Sequence, residues 1–247
     1  GFTLIEIAIV LVIVSVLLGY TFAMIPVQQD LKQYRKANQE MDEIIKAIYA
    51  FAQVNGRLPC ADNIAAPDGV SDPDDGTNCT ANIGWYGLLP AKTLGLEGSF
   101  NANGSLLDPW GTPYRYQVTS KDTGTGAGGD FVIVNDIRDV GMATLDPDLQ
   151  VCTIQPSPDP DGTDCGLAPV TIIESTPAVV LSLGKDKGTV TSDIQVENTD
   201  NTADGSSDII FVKATRNDTS GAEFDDVIKW ISPNILYSKM IDAGKLP

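Results

Sequence analysis

The residues of this 247-residue chain that could do chemistry are carboxylates and cysteines. Two stretches echo each other: Asp72-Pro73-Asp74-Asp75-Gly76-Thr77-Asn78-Cys79 and Asp159-Pro160-Asp161-Gly162-Thr163-Asp164-Cys165. Each closes a loop opened by an earlier cysteine, Cys60 or Cys152. Carboxylates gathered at a glycine turn are hard oxygen ligands, the chemistry of a calcium loop. The same residues also serve as solvated turn formers. In the second loop the candidate ligands are Asp159, Asp161 and Asp164, although neither loop carries the twelve-residue EF-hand spacing with its terminal glutamate. The 18 and 12 intervening residues between cysteines contain no CxxC pair, which argues against zinc. Four cysteines allow three pairings. Sequential pairing, Cys60–Cys79 and Cys152–Cys165, closes the shortest loops, and each closure is worth about 3 kcal/mol in the chain-entropy picture.

Composition removes whole classes of function. There are 16 Lys and Arg against 33 Asp and Glu, a net charge of −17, and no histidine. A chain this acidic repels phosphate backbones, so no nucleic-acid partner is expected. Without histidine there is no Ser-His-Asp triad, no Cys-His dyad and no His-ligated haem. Carboxylate acid–base chemistry stays open in principle, but no constellation stands out, and the chain is not expected to be an enzyme. The run Gly124-Thr125-Gly126-Ala127-Gly128-Gly129 lacks a following Lys-Ser/Thr and reads as a flexible turn rather than a phosphate cradle.

Almost all the continuous apolar sequence lies at the front. Phe2 to Ile25 is 24 residues with one charge, Glu6, and no proline. As a helix it reaches about 36 Å, enough for a membrane core of roughly 30 Å. A carboxylate in such a run costs about 2.5 kcal/mol or more, so Glu6 should have a partner. A free amine on a neighbouring, staggered chain would cancel both charges only in an assembly. The helical period continues through Val27, Leu31, Tyr34, Met41, Ile44, Ile45, Ile48 and Phe51. Gly19 and Pro26 predict a kink or unwound stretch between them, and Asn55-Gly56 predicts the helix end.

Gly1-Phe2-Thr3-Leu4-Ile5-Glu6 followed by Ile7–Ile13 resembles the class III signal of type IV pilins and type II secretion pseudopilins. The resemblance implies cleavage between Gly1 and Phe2 by a prepilin peptidase, methylation of the new amine, and an assembly role for Glu6. Leu107-Asp108-Pro109-Trp110-Gly111-Thr112-Pro113-Tyr114-Arg115-Tyr116 resembles the DPWG-x-PY-x-Y signature of major pseudopilins. Asn55–Cys60, Phe224–Trp230 and Met240–Pro247 are similar to segments of large prepilin-like proteins. Leu181–Asp186 with Asp225-Asp226 resembles the pseudopilin calcium loop, which implies a Ca²⁺ held by the Leu183 carbonyl and by Asp186, Asp225 and Asp226.

From Arg57 onward the texture is Gly, Pro, Asp and Thr with short β-like runs. Tyr114–Val118, Phe131–Asn135, Ala178–Leu183, Ile209–Ala214 and Val227–Ile231 are the strand candidates. Ser232-Pro233 opens a last helix running to about Ala243. The expectation is an α+β chain of the type IV pilin fold. Residues 1–26 form a transmembrane or filament-core segment and 27–55 an amphipathic helix half. Residues 56–247 form a β-rich head, with one antiparallel sheet packed on the helix and loop insertions. The expected function is a filament subunit of a type IV pilus or a secretion pseudopilus, with a minor pilin acting as tip adhesin or assembly initiator as the alternative. Its expected partners are identical subunits, the prepilin peptidase and the inner-membrane assembly machinery. Its expected place is the inner membrane of a Gram-negative bacterium before assembly, then an extracellular or periplasmic filament.

Overall fold

A computed structural model describes residues 1, 3–79, 84–123, 128–153, 165, 171–187, 195, 197–199, 209–219 and 223–247; of residues 19–27 only the backbone is described. Helix α1 runs Leu4–Asn55, through Gly19 and Pro26, and would measure about 78 Å at the ideal rise. It ends where the sequence says it must: Gly56 has φ +71° and its N–H bonds to the Ala52 carbonyl at 2.8 Å. A left-handed residue there lets the last turn close without a Cβ clash.

The head follows as β1 (Tyr86–Leu88), β2 (Arg115–Val118), α2 (Asp136–Val140), β3 (Leu149–Cys152), β4 (Thr171–Thr176), β5 (Ala178–Ser182), β6 (Ile210–Val212), β7 (Val227–Trp230) and α3 (Pro233–Asp242). These strands form two sheets. One has the order β1-β2-β5-β7 and is antiparallel throughout. The other has the order β4-β3-β6, with β3 and β6 parallel.

Period-2 geometry explains how β5 serves both layers. Ala178 and Val180 face the helix side, among Met41, Ile44, Ile48, Tyr114, Tyr116 and Met240. Val179 and Leu181 face the other way, onto Leu149, Val151, Phe211 and Ile228. A strand buried on both faces reads as a continuous apolar run, as Ala178–Leu181 does. The helix is pinned to the head by polar contacts as well. The Tyr114 hydroxyl donates to Glu40 at 2.7 Å, the Ser232 N–H donates to the Tyr49 hydroxyl at 2.9 Å, and the Gln53 amide donates to the Lys239 carbonyl at 3.1 Å.

The structure is α+β, but it corrects the expected type IV pilin fold. Among the described residues no helix is long and apolar enough to cross a membrane, so the transmembrane reading of 1–26 and the inner-membrane anchor are not supported. Among the described residues the head has two sheets, one of them mixed, rather than one antiparallel sheet. The second sheet exists because β5 and β7 have apolar outer faces that need a cover. Phe131–Asn135 is not a strand: it forms turns leading into α2. Phe131 and Val132 are fully buried, and the Leu58 N–H bonds to the Phe131 carbonyl at 2.7 Å. The run plugs the core without joining a ladder.

The first acidic loop is a folded unit. Cys60 and Cys79 are disulfide-bonded, with Cα atoms 5.6 Å apart. Asp62 is fully buried inside the loop and accepts the N–H groups of Asp68 at 3.2 Å and Gly69 at 2.9 Å. Burial pushes its carboxyl up to about 6, against those two donors, from an ordinary value of 3.8. Between about pH 4 and pH 6 the folded protein therefore keeps a proton that the unfolded chain has released. The stability from this group is complete below about pH 4 and is lost as pH rises through 6.

Two predictions follow from this packing. Ile44→Ala, on the buried helix face, should cost about 2–5 kcal/mol in urea unfolding, whereas Leu11→Ala should change the monomer by no more than about 0.5 kcal/mol; equal effects would contradict the division of α1. Measured against Asp62→Asn, the wild type should lose stability between pH 4 and pH 6; a gap that does not change with pH would refute the buried-carboxyl account.

Candidate functional site

Among the described residues the exposed large apolar side chains concentrate at the front of α1. Leu4 is 88 % exposed, Ile5 67 %, Leu11 63 % and Val16 67 %. Ile7, Ile9, Val10, Val12, Ile13, Val14, Leu17 and Leu18 are exposed too, so apolar side chains stand in solvent on every side of the helix. Further along, Ala37, Met41, Ile44, Ile48 and Ala52 recur at helical spacing and are fully buried. One helix thus carries a half completed by its own head and a half that is not.

Glu6 starts this surface. Its carboxylate accepts the Thr3 N–H at 2.7 Å and the Thr3 hydroxyl at 2.8 Å, and the Glu6 N–H donates back to that hydroxyl at 3.3 Å. This is a reciprocal capping box, which satisfies N–H groups that the first turn would leave bare. The pattern Thr-x-x-Glu ahead of an apolar run is its signature, and Thr3-Leu4-Ile5-Glu6 displays it. Within one chain, then, Glu6 has Thr3 as its partner. Gly1 is exposed, and Phe2 lies outside the described residues. Gly19 and Pro26 lie within the helical span, with their side chains outside the described residues.

The four residues expected around calcium do come together. Leu183 is buried in the core between the sheets. Gly184 follows at φ +64°, where a Cβ would meet the Asp225 carboxyl carbon at 2.5 Å, so only glycine fits this turn. The turn aims the N–H groups of Lys185 and Asp186 at Asp225 Oδ2. Burial pushes the Asp225 carboxyl up, with the charge of Asp186 adding to it. Burial likewise pushes Asp226 up to about 7, partly offset by a hydrogen bond from Asn198 and reinforced by Asp225 and Asp186.

The arrangement does not fit a bound calcium ion. The Gln195 amide nitrogen stands 2.6 Å from Asp186 Oδ2 and 3.0 Å from Asp225 Oδ1, between the two carboxylates a cation would bridge. Among the described residues no group of three or more His, Cys, Asp or Glu is placed to hold a metal. Gln195 and Asn198 were not legible beforehand: they sit in an unremarkable polar run, with no spacing that marks them. Asp159, Asp161 and Asp164 lie outside the described residues. The disulfide that closes their loop is formed, Cys152–Cys165, with Cα atoms 5.8 Å apart.

The Asp-Pro-Trp-Gly turn is structural. Asp108 accepts the N–H groups of Trp110 at 3.0 Å and Thr112 at 2.8 Å, and the Ser182 hydroxyl at 2.7 Å. It thereby ties the turn before β2 to the end of β5.

No family model, curated protein or solved structure matches the chain.

Thr3→Ala should remove the cap and speed amide exchange in the first turn of α1 about fivefold, the equivalent of about 1 kcal/mol. Unchanged exchange at Glu6 and Ile7 would contradict the capping role.

Proposed function

We propose that this chain is a structural subunit which polymerises through the front of α1 into a helical filament of the type IV pilus or type II secretion pseudopilus kind. One observation carries the reading: Leu4–Leu18 presents apolar side chains to solvent around the whole helix. A helix apolar on all sides needs a surround that its own head does not provide. Identical segments from neighbouring copies supply it. Burying each Ile or Leu contributes roughly 1.5–3 kcal/mol. Association costs on the order of 4–15 kcal/mol. A handful of these side chains per contact is therefore enough, and the segment offers many.

The sequence resemblance around Gly1–Glu6 supports the same reading. So do the two disulfides, since such bonds persist in the periplasm and outside the cell. Acidic heads on the outside keep the polymer soluble and spaced. In the polymer, Glu6 exchanges its Thr3 contacts for the amine of a neighbouring chain, which sets the stagger between copies. No group of residues is assigned a catalytic role.

Leu11→Asp places a charge in the middle of the proposed contact. It should abolish assembly, read as loss of sedimentable fibres by ultracentrifugation and negative-stain microscopy, while the head keeps its unfolding midpoint. Fibres formed at wild-type yield by Leu11→Asp would overturn the proposal.

A further inference from the structure

Three carboxylates, Asp186, Asp225 and Asp226, meet where the turn after β5 approaches the start of β7. Asp225 and Asp226 are 9 % and 6 % exposed. Acids this close and this dry repel one another and need positive partial charge. The chain supplies it from two side-chain amides. Both hydrogens of the Gln195 amide are spent on carboxylates, those of Asp186 and Asp225. The Asn198 amide nitrogen donates to Asp226 at 2.7 Å and to the Val212 carbonyl at 3.0 Å, and its oxygen accepts the Val212 N–H at 2.8 Å. Asn198 thus pairs with β6, an outer strand of its sheet, as a neighbouring strand would.

The orientation of Gln195 has a cost that reveals its role. Gln195 is 2 % exposed, and among the described residues its oxygen is buried with no hydrogen-bond partner. A buried acceptor left unpaired is unfavourable by about 1–3 kcal/mol. Turning the amide over would aim that oxygen at the carboxylates and lose both N–H contacts. The amide forgoes its own acceptor to serve the acids.

We infer that Gln195 and Asn198 form an amide latch in the position where a divalent cation would otherwise sit, so that this junction is closed without metal. The latch joins the Gly184 turn, Gln195, Asn198, β6 and the entry to β7. It also reaches α1, because Lys185 lies 3.9 Å from Asp30 and Arg216 forms an ion pair with the same carboxylate. Replacing Gln195 by glutamate puts a fourth carboxylate where an amide stood between Asp186 and Asp225, the oxygen chemistry that binds calcium, and leaves the Asn198 amide on Asp226.

The test is thermal melting of the full chain in EDTA and in millimolar calcium chloride. The quantity read is the calcium-induced change in Tm. In the wild type it should equal that of Asp225→Asn/Asp226→Asn. Gln195→Glu should melt lower than wild type in EDTA and gain about 3 °C or more over the wild-type calcium response once calcium reaches ten times its Kd. Folding of Gln195→Glu only when calcium is added would count as that gain. A wild-type calcium response that disappears in Asp225→Asn/Asp226→Asn would overturn the inference, as would a Gln195→Glu response no larger than wild type. Gln195→Met removes the amide without adding charge. It should melt lower than wild type in both buffers, and a wild-type Tm for this variant would refute the latch.

Discussion

The structure turns on where the apolar surface of α1 is buried. From Ala37 to Ala52 the helix gives its buried face to its own head. From Leu4 to Leu18 its apolar side chains remain in solvent. Each exposed Ile or Leu forgoes roughly 1.5–3 kcal/mol of burial, comparable in sum to the net stability of a whole domain. The remaining features arrange themselves around this imbalance. The capping box at Thr3 and Glu6 fixes the helix start, and Gly56 ends the helix where the head begins.

The head is built to hold the rear half of that helix rigidly. Tyr114, just before β2, bonds Glu40 of the helix, and Tyr116 in β2 is buried in the same core. β5 then presents a second apolar face outward, which the β4-β3-β6 sheet covers. Loops rich in Asp and Gly connect these layers without large cores of their own. They are held instead by disulfides, by buried carboxylates such as Asp62 and Asp108 that collect backbone N–H groups, and by the Gln195–Asn198 latch.

Local chemistry was legible in the sequence at several self-contained places, although the equally local capping box of Thr3 and Glu6 was not, since Glu6 pointed instead to a partner on another chain. The helix end at Asn55-Gly56, the start of α3 at Ser232-Pro233, the turn at Asp108–Gly111 and the strands near 115–118, 178–182, 210–212 and 227–230 depend on neighbouring residues or short apolar runs. The second sheet did not announce itself, because β3 pairs with β4 across a long loop and, in parallel, with the much more distant β6. Phe131–Asn135 misled for the related reason that an apolar run can fill a core without pairing. The carboxylates of Asp186, Asp225 and Asp226 were found from their motif. Their amide partners were not, since neither residue type nor spacing distinguishes Gln195 and Asn198 from ordinary loop residues.

The central claim is that copies of this chain pack through the front of α1. Cryo-electron microscopy of fibres sheared from the source cells tests it most directly. The account predicts a fibre whose density follows this chain, with Leu4–Leu18 of neighbouring copies bundled along the axis and the heads outside. Fibres of this chain held together by head-to-head contacts, with Leu4–Leu18 still facing solvent, would contradict it.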